Sequence, residues 1–225
     1  MYIKQLIKDH QTLFAADFSS RFVSLMIAKN NQRKAYKKEI AGKFSIYLLD
    51  YFIEVLKNEE LKISQIDCFI VATGPGKLTA LRVGLSLIKA LAIAKPIAGI
   101  SSLPLMLSKI GLEENALYYP TIPLSSSLFC TAGFVLKNKK LESVEKQRIV
   151  EYSEIKDMID SGRRIVVEEN DIIDADLLRA EEHYTDWNRV LEISGNQWDE
   201  FNDETLIPNY MVKPRVIIKN DCKTV

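Results

Sequence analysis

A continuous apolar run, Ile66–Ala72 (IDCFIVA), is stopped by Gly74-Pro75-Gly76 and followed at once by an apolar stretch of helical length, Thr79–Lys95. A run that does not alternate belongs to a strand buried on both faces, inside a sheet covered by helices. Strand, tight turn and helix in that order form an α/β crossover, which is right-handed. A further buried strand, Pro96–Ile100, closes the unit. Upstream, Thr12–Ser19 (TLFAADFS), Arg21–Ala28 (RFVSLMIA) and Arg33–Lys37 read as an antiparallel meander, with a turn signal at Lys29-Asn30-Asn31-Gln32. Glu39–Lys57 then switches to helical spacing, with Ile40, Phe44, Leu48, Tyr51, Phe52 and Val55 recurring at three and four. The order β-β-β-α-β-α-β makes a mixed sheet flanked by helices, the layout of a ribonuclease-H-like lobe in an actin-like fold.

The second half is less regular. Ala116–Leu124 and Leu128–Leu136 read as strands, with a turn at Lys137-Asn138-Lys139-Lys140. Ser153 is expected to N-cap a short helix, Glu154–Asp160, ended by Gly162. Arg163–Glu168 reads as a strand, Asp174–His183 as a helix, and Pro208–Lys223 as an alternating tail. Two lobes of one unit are expected, residues 1–108 and 109–225.

The charge balance narrows the function. Among 225 residues, 30 Lys+Arg offset 30 Asp+Glu, which argues against an autonomous nucleic-acid binder. Three scattered cysteines and two distant histidines, His10 and His183, form neither a disulfide framework nor a His-rich metal site. There is no secretory leader pattern and no long apolar span, so the cytoplasm is the expected compartment and no membrane is involved.

Chemistry is most legible at the Gly74–Thr79 turn. A helix N-terminus after glycines suits an anion, and Asp17 ends the first strand. Asp17, Gly74, Gly76 and Thr79 are therefore the candidate nucleotide or phosphate residues. Against this, Asp17 can simply cap its own turn through the Ser19 or Ser20 amide. Gly76-Lys77-Leu78-Thr79 is no P-loop, because Val71 stands where the first glycine belongs. Gly99-Ile100-Ser101-Ser102-Leu103 lacks the second glycine of a nucleophile elbow. A His-rich metal site is excluded, and an all-carboxylate one is left open.

The longer pattern Gly74-Pro75-Gly76-x-x-Thr79-x-Leu81-Arg82-Val83-Gly84-Leu85-x-x-x-Lys89-x-Leu91-Ala92 resembles the signature of the TsaB (YeaZ-like) family. Ala15–Ser20 and Gly99–Leu103 resemble the flanking segments of that family. The resemblance implies an ASKHA (actin-like) fold and a non-catalytic subunit of the bacterial machinery that makes threonylcarbamoyladenosine at position 37 of certain tRNAs, with no catalytic residue, cofactor or metal of its own. It implies pairing through the first two helices with the catalytic paralogue TsaD, or with a second copy when alone. TsaE is a further partner, and tRNA contact is indirect. Phe44, Tyr47 and Tyr51 on the first helix, with Leu81, Arg82, Gly84, Leu85 and Ile88 on the second, are the candidate interface residues. Small residues on the second helix would permit close helix approach; burial in the chain's own core is the competing reading. The first helix has no histidine, unlike the His-x-x-x-His iron site of the catalytic relative. At Pro123–Cys130 the charged segment of many family members is missing. The alternative is a small ASKHA kinase or ATPase with phosphate held at Asp17 and the Gly74–Thr79 turn.

Overall fold

The computed structural model describes residues 12–30, 32–40, 42–168, 178–179, 184–194, 198–201 and 206–209. Strands β1 (Thr12–Asp17), β2 (Phe22–Lys29) and β3 (Gln32–Glu39) form the antiparallel meander, paired residue for residue from Phe22↔Glu39 to Lys29↔Gln32. Helix α1 (Phe44–Asn58), strand β4 (Cys68–Gly74), helix α2 (Leu78–Leu91) and strand β5 (Ile97–Ser101) follow, with β4 parallel to both β1 and β5. The order β-β-β-α-β-α-β read from the sequence stands. Two boundaries move. Glu39 belongs to β3, not to the helix, because that polar edge strand stays in register with β2 along its whole length. The second helix ends at Leu91, because Ala94 turns into a left-handed conformation at φ 58°.

Periodicity explains α1. Leu48, Tyr51, Phe52, Val55 and Leu56 recur at i, i+3, i+4, i+7 and i+8, and all are buried. The helix stops in a Schellman pattern: Leu61 N–H donates to Leu56 C=O (2.9 Å) and Glu60 N–H to Lys57 C=O (3.0 Å), with Glu60 at φ 49°. The core beneath α1 and α2 gathers Phe14, Phe18, Phe52, Phe69, Leu85 and Ile88; Phe14 stacks at 4.9 Å on Phe52 and 6.0 Å on Phe69. The opposite face of the same sheet packs Met26, Ile70 and Ile100 on Trp187 of helix α5 (Trp187–Ile193).

After β5, the short helix α3 (Ser102–Met106) leads to a second sheet: β6 (Leu117–Pro123), β7 (Leu128–Lys137), β8 (Lys140–Glu151), β9 (Arg164–Val167) and β10 (Leu178–Arg179). Helix α4 (Tyr152–Asp160) connects β8 to β9. A last strand, β11 (Trp198–Phe201), returns to pair antiparallel with β5. The strand orders are β11-β5-β4-β1-β2-β3 and β10-β9-β6-β7-β8. Leaving β11 aside, both sheets repeat one plan. A first strand is flanked on one side by two antiparallel strands and on the other by two parallel ones. That is the two-sheet, actin-like α/β class expected from the sequence.

Several second-half expectations need correction. Ser153 lies inside α4, whose N-cap is Glu151 with no side-chain hydrogen bond. Gly162 does end that helix, at φ 78°, with Arg163 N–H on Met158 C=O. Within the expected helix Asp174–His183, Leu178–Arg179 are a strand paired with β9, and the rest lies outside the described residues. So do His10, Cys222 and most of the tail Pro208–Lys223. Strand β8 has no counterpart in the sequence reading.

Cys68 and Cys130 are buried, and loss of hydration pushes both thiols up to about 12. A disulfide exchange reagent at pH 8 is expected to leave both unlabelled until denaturant is added, read by mass spectrometry of the tryptic peptides. Among the described residues no helix is long and apolar enough to cross a membrane.

Candidate functional site

The carboxyl ends of β1 and β4, where an actin-like enzyme would place its phosphates, meet in a clasp. Gly76 packs on the loop after β1: a Cβ there would sit 2.8 Å from Ser19 Cβ and 2.9 Å from Ser19 Cα. Lys77 N–H donates to Ser19 C=O at 2.7 Å, locking the two loops together. Gly74 holds φ 103°, a conformation that side chains resist, and Thr73 C=O accepts the Asn209 N–H at 2.7 Å.

Asp17 is buried and occupied. Oδ1 accepts the Ser19 N–H at 2.9 Å, which is the turn-capping role, and Oδ2 accepts the Thr185 hydroxyl at 2.5 Å. Thr185 N–H in turn donates to Ser24 Oγ at 2.9 Å. Beside Asp17 lies a cleft of about 30 Å³ between the sheets, walled by Ser19, Gly76, Ser102, Met106 and the Lys109–Glu168 ion pair (2.5 Å). That volume takes about two water molecules, one of which can serve the buried, unpartnered Ser102 hydroxyl. Thr79 is exposed on the first turn of α2, away from this cleft's walls. The structure therefore joins Asp17 and Gly76 on one narrow cleft, without Gly74 or Thr79.

The two helices behave differently. On α1, Ile46 (54% exposed), Leu49 (46%) and Ile53 (41%) follow one another at spacings of three and four, beside Tyr47 (50%). On the outward side of α2 lie the small residues Ser86 and Ala90, with Val83 and Leu87 half-buried and Ile93 (67%) just past the end. Of the candidate interface residues, Tyr47 and Arg82 are exposed and Phe44 is half-buried. Tyr51, Leu81, Gly84, Leu85 and Ile88 are buried in this chain's own core and present nothing to a partner. Gly84 in particular sits on Phe18: a Cβ would lie 2.6 Å from Phe18 Cβ and closer still to its ring. The sequence motif thus mixes inward and outward positions of one helix. Ile46, Leu49 and Ile53 fall outside the motif, and their apolar spacing one turn-face away from Leu48 and Phe52 is the signal that identifies them.

Fold and site together define an actin-like α/β protein with a narrow inter-sheet cleft and an uncovered apolar helical face. The family model described as "TsaD: tRNA N6-adenosine threonylcarbamoyltransferase" matches residues 37–176, and the chain belongs to that family. A curated relative, the tRNA threonylcarbamoyladenosine biosynthesis protein TsaB of Buchnera aphidicola subsp. Baizongia pistaciae, is 24% identical over 97 residues, 43% of this chain. The match spans 44% of that relative's length. Two solved structures share the fold. One is described as an uncharacterized protein with similarity to peptidase YEAZ from Pseudomonas aeruginosa: TM-score 0.67, 17% identity, 90% of this chain and 100% of that one. The other is YeaZ from Pseudomonas aeruginosa: TM-score 0.64, 16% identity, 89% and 100%. The resemblance to TsaB and YeaZ carried by the Gly74–Ala92 motif is borne out.

Proposed function

We propose that this chain is a non-catalytic, TsaB-type subunit of a cytoplasmic complex that forms threonylcarbamoyladenosine at position 37 of tRNA. Its partner is a TsaD-type catalytic subunit, with TsaE as a further component. The two chains pair through the outer face of α1 and α2, and a second copy takes the same face when the partner is absent. The observation that carries this reading is the stripe Ile46–Leu49–Ile53 with Tyr47, next to the small outward residues of α2. A contiguous apolar patch of this kind marks a protein contact, and Ser86 and Ala90 let a second helix pair approach closely. The Asp17 carboxylate, engaged by Ser19 and Thr185 beside a narrow cleft, supports a supporting rather than a catalytic role.

Co-expression with the TsaD-type protein of the same organism is expected to give one co-eluting species on size exclusion. Leu49→Glu with Ile53→Glu is expected to abolish it, while thermal unfolding of the isolated chain shifts by only about 0.5 kcal/mol, as for other surface changes. Wild-type chains that elute separately while folded would sink the pairing. Charged variants that still co-elute would move the interface elsewhere.

A further inference from the structure

A second, much larger depression lies away from the cleft and from the α1–α2 face. It is a groove of about 1,070 Å³ where the start of β3, the β7–β8 hairpin turn and α5 come together. Four cations line it: Arg33, Lys139, Lys140 and Arg189. Two carboxylates, Asp186 and Glu192, stand against them. Asp186 is already engaged, its Oδ1 capping α5 by accepting Asn188 N–H (3.0 Å) and Arg189 N–H (3.2 Å). Among the described residues the side chains of Arg33 and Lys139 meet no carboxylate, whereas the neighbouring lysines of β3 do: Lys34 pairs with Glu59 and Lys38 with Glu54, both on the α1 side of the sheet. The alternation of β3 turns Arg33 to the other side, opposite Ala28, towards α5.

The charge of this surface leans one way: four cations face two exposed carboxylates, Asp186 and Glu192. Its apolar floor, Leu136, Leu191 and Ile193, is buried, so no large aliphatic or aromatic anchor stands up for a peptide to grip. Arg33, Lys139 and the amides of Asn138 and Asn188 are exposed beside them and offer donors. A single oxyanion would leave most of this length empty. A chain of phosphates, each accepting from a separate donor, fills it.

Resting on the reading proposed above, we propose that the groove holds a stretch of the sugar–phosphate backbone of the tRNA, with Arg33 and Lys139 donating to phosphate oxygens and Arg189, whose Nη1 donates to Ser108 C=O at 3.5 Å, adding positive charge beside them. The contact is sequence-independent and positions the tRNA relative to the catalytic partner. It goes beyond the expectation that tRNA contact is only indirect. A neutral chain does not exclude it, because the cations are gathered in one groove rather than in excess overall.

The test is fluorescence anisotropy with a labelled, unmodified tRNA transcript, on the isolated chain and on its complex with the TsaD-type partner. Arg33→Glu with Lys139→Glu is expected to weaken binding at least tenfold at low salt. The slope of log affinity against log salt should shrink by about 1.5 to 2, as for two lost phosphate contacts. Lys139→Arg should bind as the wild type does. An unchanged affinity and slope in the double variant would overturn the proposal. So would a polyglutamate peptide that binds as tightly as tRNA and is lost equally in the variant, which would assign the groove to an acidic protein. Failure to co-elute with the TsaD-type partner overturns the pairing instead, and the isolated chain's anisotropy still decides the groove.

Discussion

Gly84→Ala is expected to cost about 3 kcal/mol or more, and Gly84→Trp is expected to leave no folded first sheet. The reason is geometric: the new Cβ falls inside the space of Phe18, 2.6 Å from its Cβ, and Phe18 is itself fully buried under α2. Phe18 begins the loop that Gly76 and Lys77 clasp, so it has no room to retreat. Overpacking of a dense core costs about 1–3 kcal/mol even where neighbours can shift. Chemical denaturation followed by circular dichroism measures it: a midpoint well below wild type with an unchanged slope is the expected result. A Gly84→Ala chain as stable as wild type would mean that α2 rides higher on the sheet than described. The same measurement decides between two roles for a glycine in a helix, because a residue serving only a partner contact would leave the isolated chain's midpoint in place.

Lys109→Met is expected to destabilise the chain by roughly 2–3 kcal/mol, below the ~3–5 kcal/mol of a fully buried pair because the stranded Glu168 carboxylate keeps some contact with water. The Lys109 side chain is 3% exposed and that of Glu168 is 19%, at 2.5 Å from each other across the cleft. The pair joins the segment after α3 to the end of β9, and so ties the first sheet's exit to the second sheet. The double variant Lys109→Met/Glu168→Leu is expected to recover most of the loss, since replacing a buried pair with apolar groups of similar size is often neutral or better. A double variant as unstable as the single one would show that the cost lies in lost packing rather than in the stranded charge.

The first lobe was legible because its signals are strong and local. A non-alternating run means a doubly buried strand, and Leu48–Tyr51–Phe52–Val55 has helical period whatever surrounds it. The limits were those of edges. Gln32–Glu39 carries five charges in eight residues, so the sequence marked only its middle, Arg33–Lys37, and its extension to Glu39 comes from pairing with β2. Strand β8 was missed for the same reason: outward positions such as Glu142, Lys146 and Glu151 obscure a buried Leu141 and Val150. The candidate site failed differently. The motif from Gly74 to Ala92 marked the right helix, but a motif has no inside and outside. Leu81, Gly84, Leu85 and Ile88 point to the core, and only the phase of the helix against the sheet separates them from Ser86 and Ala90. Asp17 was placed correctly at the strand end and makes the turn-capping contact to Ser19, joined by a contact from Thr185 that lies 168 positions away.

That distance has a consequence for how the protein is made. The β5 edge of the first sheet is completed by β11, and Asp17 and Ser24 wait for Thr185. A ribosome delivers residues 12–101 long before residues 185 and 198. Until then the growing chain carries an open sheet edge, the kind of exposed strand that recruits other chains, and Asp17 Oδ2 lacks its Thr185 partner. The first sheet is therefore sealed only once residues 185–201 have been made, rather than as its own strands emerge, and a transcript that stops before codon 185 yields a first sheet without these contacts.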